Sequence, residues 1–248
     1  MRPAIKMLLM IAFVVAGAFA AKAGEMPAAD TLKPIIELYR LHAALAPDSA
    51  LKFDCTYYME DVDTVTVHDT LTGSFKLMGD QYWITMDSIE QLQDLHYSVT
   101  TYHEQEIIYL RNRVPFSEAV FQAKVLDSAF FAVYTDSVTV TDTAAFRKLK
   151  CYFKYGMPYT KYEILYDTAT YHIRTIYCTY RKIIPGNEEL TYPSSEYAVK
   201  LKVMFNNYGT EAFDPEIFST TRFVERSNGV FVAKSPYAAY QLVNSINQ

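Results

Sequence analysis

The sequence predicts a mainly β protein of the α+β class: a curved antiparallel sheet or incomplete β-barrel, with two main helices packed on its concave face. The first observation is residues 51–86, where apolar and polar residues alternate. Successive strand side chains point to opposite faces, so this alternation is typical of a half-buried strand. The second is that 149–177 and 197–205 alternate in the same way. Antiparallel sheets tolerate one solvated face, which favours a meander over a parallel core.

The third observation is a change of period in two stretches, each of which predicts a helix. In residues 30–46, five residues share one face at helical spacing, namely Ile35, Leu38, Tyr39, His42 and Leu45. In residues 115–131 a similar spacing returns, supported by several alanines. Between and after these helices we expect strands at 51–60, 64–78, 81–87, about 95–102, about 106–111 and 133–141, and then in the C-terminal half.

Residues 1–23 have the features of a cleaved secretory signal peptide. Arg2 and Lys6 precede an apolar run, 7–19, that is too short to span a bilayer comfortably. Small residues at 18–20 and 21–23 offer cleavage sites. We therefore expect a mature chain of residues 24–248 that forms a single domain in the periplasm and has no transmembrane segment.

Charge and cysteine spacing exclude several classes of partner. The chain carries a net charge of −5, and residues 1–23 hold three basic and no acidic residues, so the mature chain carries −8. No basic run remains, which argues against nucleic acid as a partner. Cys55, Cys151 and Cys178 form no CxxC pair, so we expect buried small side chains, and whether any disulfide forms is left open.

No catalytic or metal-binding signature stands out. There is no GxSxG sequence, the eight glycines are scattered, and the five histidines are isolated. The acidic stretches 60–63 and 103–106 lack the spacing of metal ligands, so we expect solvated turns. A carboxylate pair for sugar hydrolysis stays open in principle, because it depends on a separation in a cleft. We expect no enzyme, no cofactor and no metal.

Tyrosine is the outlier of the composition, with 21 residues, all of them after residue 23. Tyrosine packs well in strands, which is one interpretation. The other is that amphipathic side chains line a groove for an amphipathic ligand such as a lipid or acyl chain. The ligand-lining candidates, chosen by alternation, are Phe53, Tyr57, Phe75, Leu77, Tyr82, Ile84, Met86, Tyr97, Tyr166 and Tyr177.

The order of these elements resembles the periplasmic lipoprotein-carrier superfamily, the LolA/LolB-like proteins that include outer-membrane lipoprotein-sorting proteins. The motifs that carry the resemblance are Gly73-Ser74-Phe75, the turn at Gly79-Asp80 and the strand 82–86. The resemblance implies an incomplete antiparallel barrel whose concave apolar side is plugged by helices and accepts acyl chains. It also implies a lipid, a lipoprotein or another envelope protein as partner.

Two functional hypotheses follow. In the first, the protein is a non-catalytic periplasmic carrier or sensor that binds a hydrophobic or amphipathic ligand in the concave face. In the second, it is a structural or adaptor subunit of an envelope assembly, with a filled core and contacts through outward aromatics such as Tyr58, Trp83 and Tyr152. An open apolar interior favours the carrier, whereas a packed interior favours the adaptor.

Overall fold

The computed structural model describes residues 29–45, 49–61, 67–114, 133–143, 145–157, 159–180 and 199–246. The predicted signal peptide (1–23) and the predicted second helix (115–131) lie outside these residues. The described part contains one long α-helix, α1 (Ala29–Leu45), instead of the two expected, and residues 133–134 have helical backbone just before a strand. Within this part, no helix has the length and apolar character needed to cross a membrane.

Strands dominate the described residues, as the alternation predicts. Two short 3₁₀ helices, Pro215–Phe218 and Thr220–Arg222, lie near the C-terminus. The strands are β1 (Ala50–Asp61), β2 (Val67–Met78), β3 (Gln81–Met86), β4 (Ile89–Gln93), β5 (Tyr97–Tyr102), β6 (Ile107–Asn112), β7 (Thr135–Thr143), β8 (Phe146–Phe153), β9 (Tyr159–Asp167), β10 (Ile173–Tyr180), β11 (Val199–Gly209), β12 (Val224–Ser227), β13 (Val230–Ala233) and β14 (Gln241–Asn244).

Twelve strands share one sheet in the order β14-β6-β5-β4-β3-β2-β1-β11-β10-β9-β8-β7, and β12 pairs with β13 in a separate hairpin. Neighbouring strands from β2 to β6 and from β7 to β11 pair antiparallel, as predicted, whereas β14 runs parallel to β6. The chain forms two compact units. Unit 1 holds the described residues within 1–45, 56–71 and 122–206, and unit 2 holds those within 46–55, 72–121 and 207–248.

Strand β4 is absent from the sequence prediction. It follows β3 after a two-residue turn, with Met86 paired to Ile89, and Asp87 adopts a positive φ of 50° there. Tight hairpins usually mark such positions with glycine or asparagine, so Asp87-Ser88 is a weak signal. Glutamines at 91 and 93 also interrupt the apolar alternation. Judged by composition alone, residues 89–93 are therefore a connection between strands, whereas in the structure they form β4.

Unit 1 has one apolar sheet face. Cross-strand pairing sets Leu149, Ile164, Ile176 and Val203 in one row across β8–β11, and all four are buried. Cys151 and Cys178 lie in the next row. All three cysteines of the chain are buried and outside disulfides, and burial raises the pKa of the Cys178 thiol to about 12. The expectation of buried small side chains is confirmed.

The opposite face of unit 1 carries lysines, and Tyr177 lies on it. Tyr177 pairs with Lys202 on one side and Glu163 on the other, and the ammonium of Lys200 lies 4.2 Å from its ring centroid. The alternation that places Tyr177 with Tyr166 is wrong at this point. A register irregularity between Ile173 and Thr175 inserts one residue, which moves every later side chain of β10 to the other face.

Helix α1 packs on unit 1 through a face that is rotated from the predicted one. Leu38, Leu41 and Leu45 are at most 3% exposed, whereas Tyr39, expected inside, is 73% exposed. The difference arises because Glu37, a residue that hydropathy assigns to the surface, is only 3% exposed. It accepts a 2.6 Å hydrogen bond from the Tyr166 hydroxyl and lies 2.9 Å from the Arg147 guanidinium. A buried charge with such partners is tolerated in a core.

Unit 2 buries both faces of its strands, which corrects the expectation of one solvated face. On the back face, Leu92, Val99, Ile108 and Leu110 are fully buried. The segment 215–246, called the C-terminal segment below, covers them with Phe223, Val224 and several partly buried aromatics. Trp83 faces the same way, opposite Tyr82, as predicted. It packs against this core, and its indole donates a 2.7 Å hydrogen bond to Glu90.

Asp94 ties the β4–β5 turn to the C-terminal segment. Its carboxylate accepts hydrogen bonds from the backbone N–H groups of His96, Tyr97 and Thr220 and from the Thr220 hydroxyl. Partial burial alone would raise the pKa of this carboxyl, but the four hydrogen bonds outweigh it and hold the pKa below its usual value.

Replacing Asp94 by alanine is expected to lower the free energy of unfolding by about 2 kcal/mol at pH 7, because buried donors lose a charged acceptor. A carboxyl with a depressed folded-state pKa contributes stability that is present above its unfolded pKa and lost as the pH falls through its folded pKa. The difference from wild type should therefore shrink below about pH 4. Urea unfolding at pH 7 and pH 3 measures it, with Asp80→Ala as the exposed control. An equal loss at both pH values would contradict this assignment.

Candidate functional site

The front face of unit 2, opposite the C-terminal segment, is built from three rows of directly paired side chains. Two of the rows begin with apolar or aromatic residues on β2 and β3 and end with polar or aromatic residues on β5 and β6, whereas the third is apolar apart from Tyr102. The rows are Leu77–Tyr82–Gln93–Ser98–Arg111, Phe75–Ile84–Gln91–Thr100–Tyr109 and Gly73–Met86–Ile89–Tyr102–Ile107. The face is thus divided across its strands: apolar on one side, hydrogen-bonding on the other.

The apolar side, called the apolar strip below, consists of Phe53, Phe75, Leu77, Tyr82 and Ile84. The rings of Phe53 and Phe75 stack with centroids 4.9 Å apart and an interplanar angle of 12°, and Tyr208 lies 5.4 Å from Phe53. All five side chains of the strip are at most 2% exposed. The strip is therefore a buried surface in this state.

The glycine of the Gly-x-Phe motif, Gly73, lies where a side chain would collide with strand β3. A Cβ at this position would lie 2.8 Å from Cγ of Met86 and 3.1 Å from the backbone oxygen of Thr85. Such distances are shorter than packed atoms adopt. The missing side chain lets Met86 of β3 lie over β2 beside Phe75.

The polar side, called the polar end below, consists of Gln91, Ser98, Thr100, Tyr102, Tyr109 and Arg111. The Tyr82 hydroxyl reaches it from the strip, accepting a 2.9 Å hydrogen bond from Gln91 and lying 3.4 Å from the Ser98 hydroxyl. Burial raises the pKa of Tyr82, against the opposing effects of the Ser98 hydrogen bond, the Arg111 charge, and the hydrogen bonds of Gln91 and Arg111 with this hydroxyl. The hydroxyl is accordingly neutral and able to donate a hydrogen bond.

Gln93, although it lies in the same row, is satisfied by the backbone. Its amide nitrogen donates to the carbonyls of Asp80 and Val114, at 2.7 and 2.8 Å, and its oxygen accepts from the Val114 N–H at 2.9 Å. This side chain fixes two chain segments together, and both of its N–H donors are used, so it has no donor left for a ligand.

Arg111 is the cation of the polar end. It is half-buried, and its Nε is fully buried without a hydrogen-bond partner. Beside it, Tyr102 and Tyr109 meet edge to face with centroids 5.7 Å apart, and Tyr109 is 40% exposed. Burial raises the pKa of Tyr102, as does Tyr109, while the Arg111 charge opposes the shift. The polar end is thus reached by solvent, unlike the strip.

The predicted ligand-lining residues separate into three groups. Six lie on the front face of unit 2, namely Phe53, Phe75, Leu77, Tyr82, Ile84 and Met86. Tyr97 lies on the back face, where its ring meets Phe231 at 5.2 Å, so its assignment to the face of Tyr82 is wrong. The last three belong to unit 1. Tyr166 contacts Glu37, and Tyr177 lies on the lysine face. Tyr57 is half-buried, two residues from buried Cys55 and from buried Met59 in β1.

Alternation assigns Tyr97 to the wrong face because the sequence prediction lacks β4, the strand before it. Without β4 as a partner, no pairing fixes which residues of the predicted strand 95–102 face the front. With β4 present, Gln93 pairs with Ser98 and the even-numbered residues of β5 take that face. Ser98, Gln91 and Arg111 therefore escape the sequence analysis. A polar residue alternating with Ile108 and Leu110 on β6 is the available signal for Arg111.

Metal and acid–base chemistry find little support in the described residues. No group of three or more His, Cys, Asp or Glu side chains that could hold a metal occurs among them. His103, from one of the acidic stretches, lies 3.4 Å from Glu90, which also contacts Arg222. Glu60, from the other, is buried beside Lys200 and Lys202.

No family model and no curated protein matches the chain. Solved structures do show similarity. An uncharacterized conserved protein from Thermus thermophilus is 8% identical, with 84% of this chain and 97% of that one covered and a TM-score of 0.45. A LolA superfamily protein from Nitrosomonas europaea is 8% identical (79% and 100% covered, TM-score 0.35). A putative outer membrane lipoprotein-sorting protein domain from Vibrio parahaemolyticus is 10% identical (77% and 98% covered, TM-score 0.36).

The structural neighbours thus include members of the superfamily that the sequence resembles.

Proposed function

We propose that this chain is a non-catalytic, secreted periplasmic protein that binds an amphipathic ligand, a lipid or the acyl chain of a lipid or lipoprotein, along the front face of unit 2. The observation that carries the proposal is the division of that face. Two rows of paired side chains, Leu77 to Arg111 and Phe75 to Tyr109, pass from apolar residues to hydrogen-bonding ones. An amphiphile has the same division along its length.

Apolar burial drives the binding. Each Å² of acyl chain that the strip removes from water contributes roughly 25 cal/mol, before the entropy cost of association. Because the strip residues are at most 2% exposed, the ligand replaces contacts that the strip makes in this state. The partly exposed polar end, with Tyr109 at 40%, is where the ligand first reaches the face.

Two measurements test the proposal. Protein purified from its native host is extracted with organic solvent and the extract is analysed by lipid mass spectrometry, which should show a co-purifying amphiphile at near-stoichiometric amount. The delipidated protein should then take up a fluorescent fatty acid saturably. An empty extract together with no saturable uptake would refute the proposal.

A second candidate function, an adaptor subunit with a filled core, is favoured by the burial of the apolar strip. The outward aromatic side chains proposed for its contacts with a partner differ in how far they are covered by other side chains. The ammonium of Lys76 and the guanidinium carbon of Arg222 lie 4.1 and 4.4 Å from the centroid of the Trp83 ring. The ammonium of Lys202 lies over the Tyr58 ring, whereas Tyr152 is 42% exposed. Crosslinking in intact cells separates the two functions: a stoichiometric protein partner together with an empty lipid extract supports the adaptor.

A further inference from the structure

Arg111 carries a charge that the described part of unit 2 does not neutralise. Among the described residues, two buried side-chain atoms have no hydrogen-bond partner, Nε of Arg111 and Oγ1 of Thr101. Thr101 pairs with Ile108 and Glu90 and faces the back. Arg111 pairs with Ser98 on the front face and lies close enough to Tyr82 for its charge to act on that hydroxyl.

Two other arginines of the same unit have a carboxylate partner. Arg113 lies 3.2 Å from Asp80, and Arg222 lies 3.3 Å from Glu90. Arg111 has no carboxylate within ion-pair distance among the described residues. A guanidinium is always charged, and a partly buried charge without a counter-ion costs free energy. The site is therefore complementary to an anion, and the described residues do not supply one.

The neighbours of Arg111 are neutral hydrogen-bonding groups. Ser98 and Tyr82 contribute hydroxyls, and Tyr102 lies near enough for its pKa to respond to the arginine charge. A guanidinium with its N–H groups in a fixed fork, flanked by hydroxyl donors, suits the two oxygens of a carboxylate or phosphate. These charge-assisted hydrogen bonds are about twice as strong as neutral ones.

We propose that Arg111 binds an anionic oxygen group, a carboxylate or phosphate, at the end of an amphiphile whose apolar chain lies along Phe75 and Ile84. The inference rests on the proposed function and specifies the chemical class of its ligand. Arg111 on β6 is four strand spacings from β2, or about 19 Å. A twelve-carbon chain laid across the strands from the arginine reaches Ile84 on β3, three strand spacings or about 14 Å away, and a longer acyl chain reaches Phe75 on β2.

The test compares three ligands with the same twelve-carbon chain: dodecanoate, dodecyl phosphate and dodecanol. Affinities are measured by calorimetric titration at pH 8, below the concentration at which the ligands form micelles. The delipidated wild type is compared with Arg111→Gln, with Arg111→Lys and with Arg113→Gln, whose arginine is exposed and paired with Asp80. Thermal unfolding confirms that each variant is folded.

We expect the wild type and Arg113→Gln to bind both anions about tenfold or more tightly than dodecanol. Arg111→Gln should lose that preference while its affinity for dodecanol is unchanged, and Arg111→Lys should keep part of it. Inorganic phosphate should bind much more weakly than dodecyl phosphate, because it lacks the chain.

Three results would overturn the inference, and they are distinguishable. Equal affinity for dodecanol and the two anions, or a preference that persists in Arg111→Gln, removes the role of Arg111 and leaves the proposed function intact. Inorganic phosphate binding as tightly as dodecyl phosphate would identify a site for free anions instead. Failure of all three amphiphiles to bind any folded variant would refute the proposed function as well.

Discussion

Replacing Phe223 by alanine is expected to lower the free energy of unfolding by about 4 kcal/mol, within the range for truncating a buried aromatic side chain. Phe223 is fully buried, packs on the back-face core of unit 2 and lies 4.9 Å from the Tyr237 ring. Its loss leaves a cavity beneath the C-terminal segment. Equilibrium unfolding in urea, followed by tryptophan fluorescence, measures the change, since Trp83 packs on the same core.

The control for Phe223 lies in the same segment. Val232 is 37% exposed, and its truncation to alanine should cost less than about 1 kcal/mol. If Phe223→Ala cost as little as Val232→Ala, the segment would contribute no packed core, and the back face would be solvated as the sequence predicts.

Replacing Glu37 by alanine is expected to cost about 3 kcal/mol, the lower end of the range for breaking a buried ion pair. The Tyr166 hydroxyl loses its 2.6 Å acceptor inside unit 1. Arg147 loses the Glu37 carboxylate, which lies 2.9 Å from its guanidinium. It keeps its contact with Asp142 and is 20% exposed, which limits the loss of stability. Chemical unfolding monitored by circular dichroism measures the loss.

The matched control for Glu37 is Lys33, a residue of the same helix whose ion pair is exposed. Lys33 lies 3.9 Å from Asp142, and both side chains are more than half exposed. Such a pair contributes little, so Lys33→Ala should change the stability by less than about 0.5 kcal/mol. If Glu37→Ala were equally mild, the helix would be held by its leucines alone.

Alternation predicts most of the sheet because the strands of both units bury an apolar face. Phe53, Phe75, Leu77, Tyr82 and Ile84 occupy the face that a two-residue period assigns to them. Helix α1 is found from its apolar spacing for the same reason. Where the pattern reflects burial of apolar side chains alone, sequence and structure agree.

The rest escapes sequence analysis because it depends on pairing between distant strands. Whether Tyr177 faces one side or the other depends on one extra residue in β10, which leaves no mark in the sequence. The buried position of Glu37 depends on Arg147 and Tyr166, more than a hundred residues away. Arg111 joins the candidate site only once β4 places Ser98 opposite it.

The most direct test of the account is to map where an amphiphile binds. The delipidated protein is equilibrated with a photoreactive fatty acid and irradiated, and the labelled peptides are identified by mass spectrometry with and without excess dodecanoate. We expect competed labelling in residues 72–86 and 97–112, which include most of the apolar strip and most of the polar end. Competed labelling confined to the C-terminal segment or to unit 1 would contradict it, as would labelling that excess dodecanoate does not reduce.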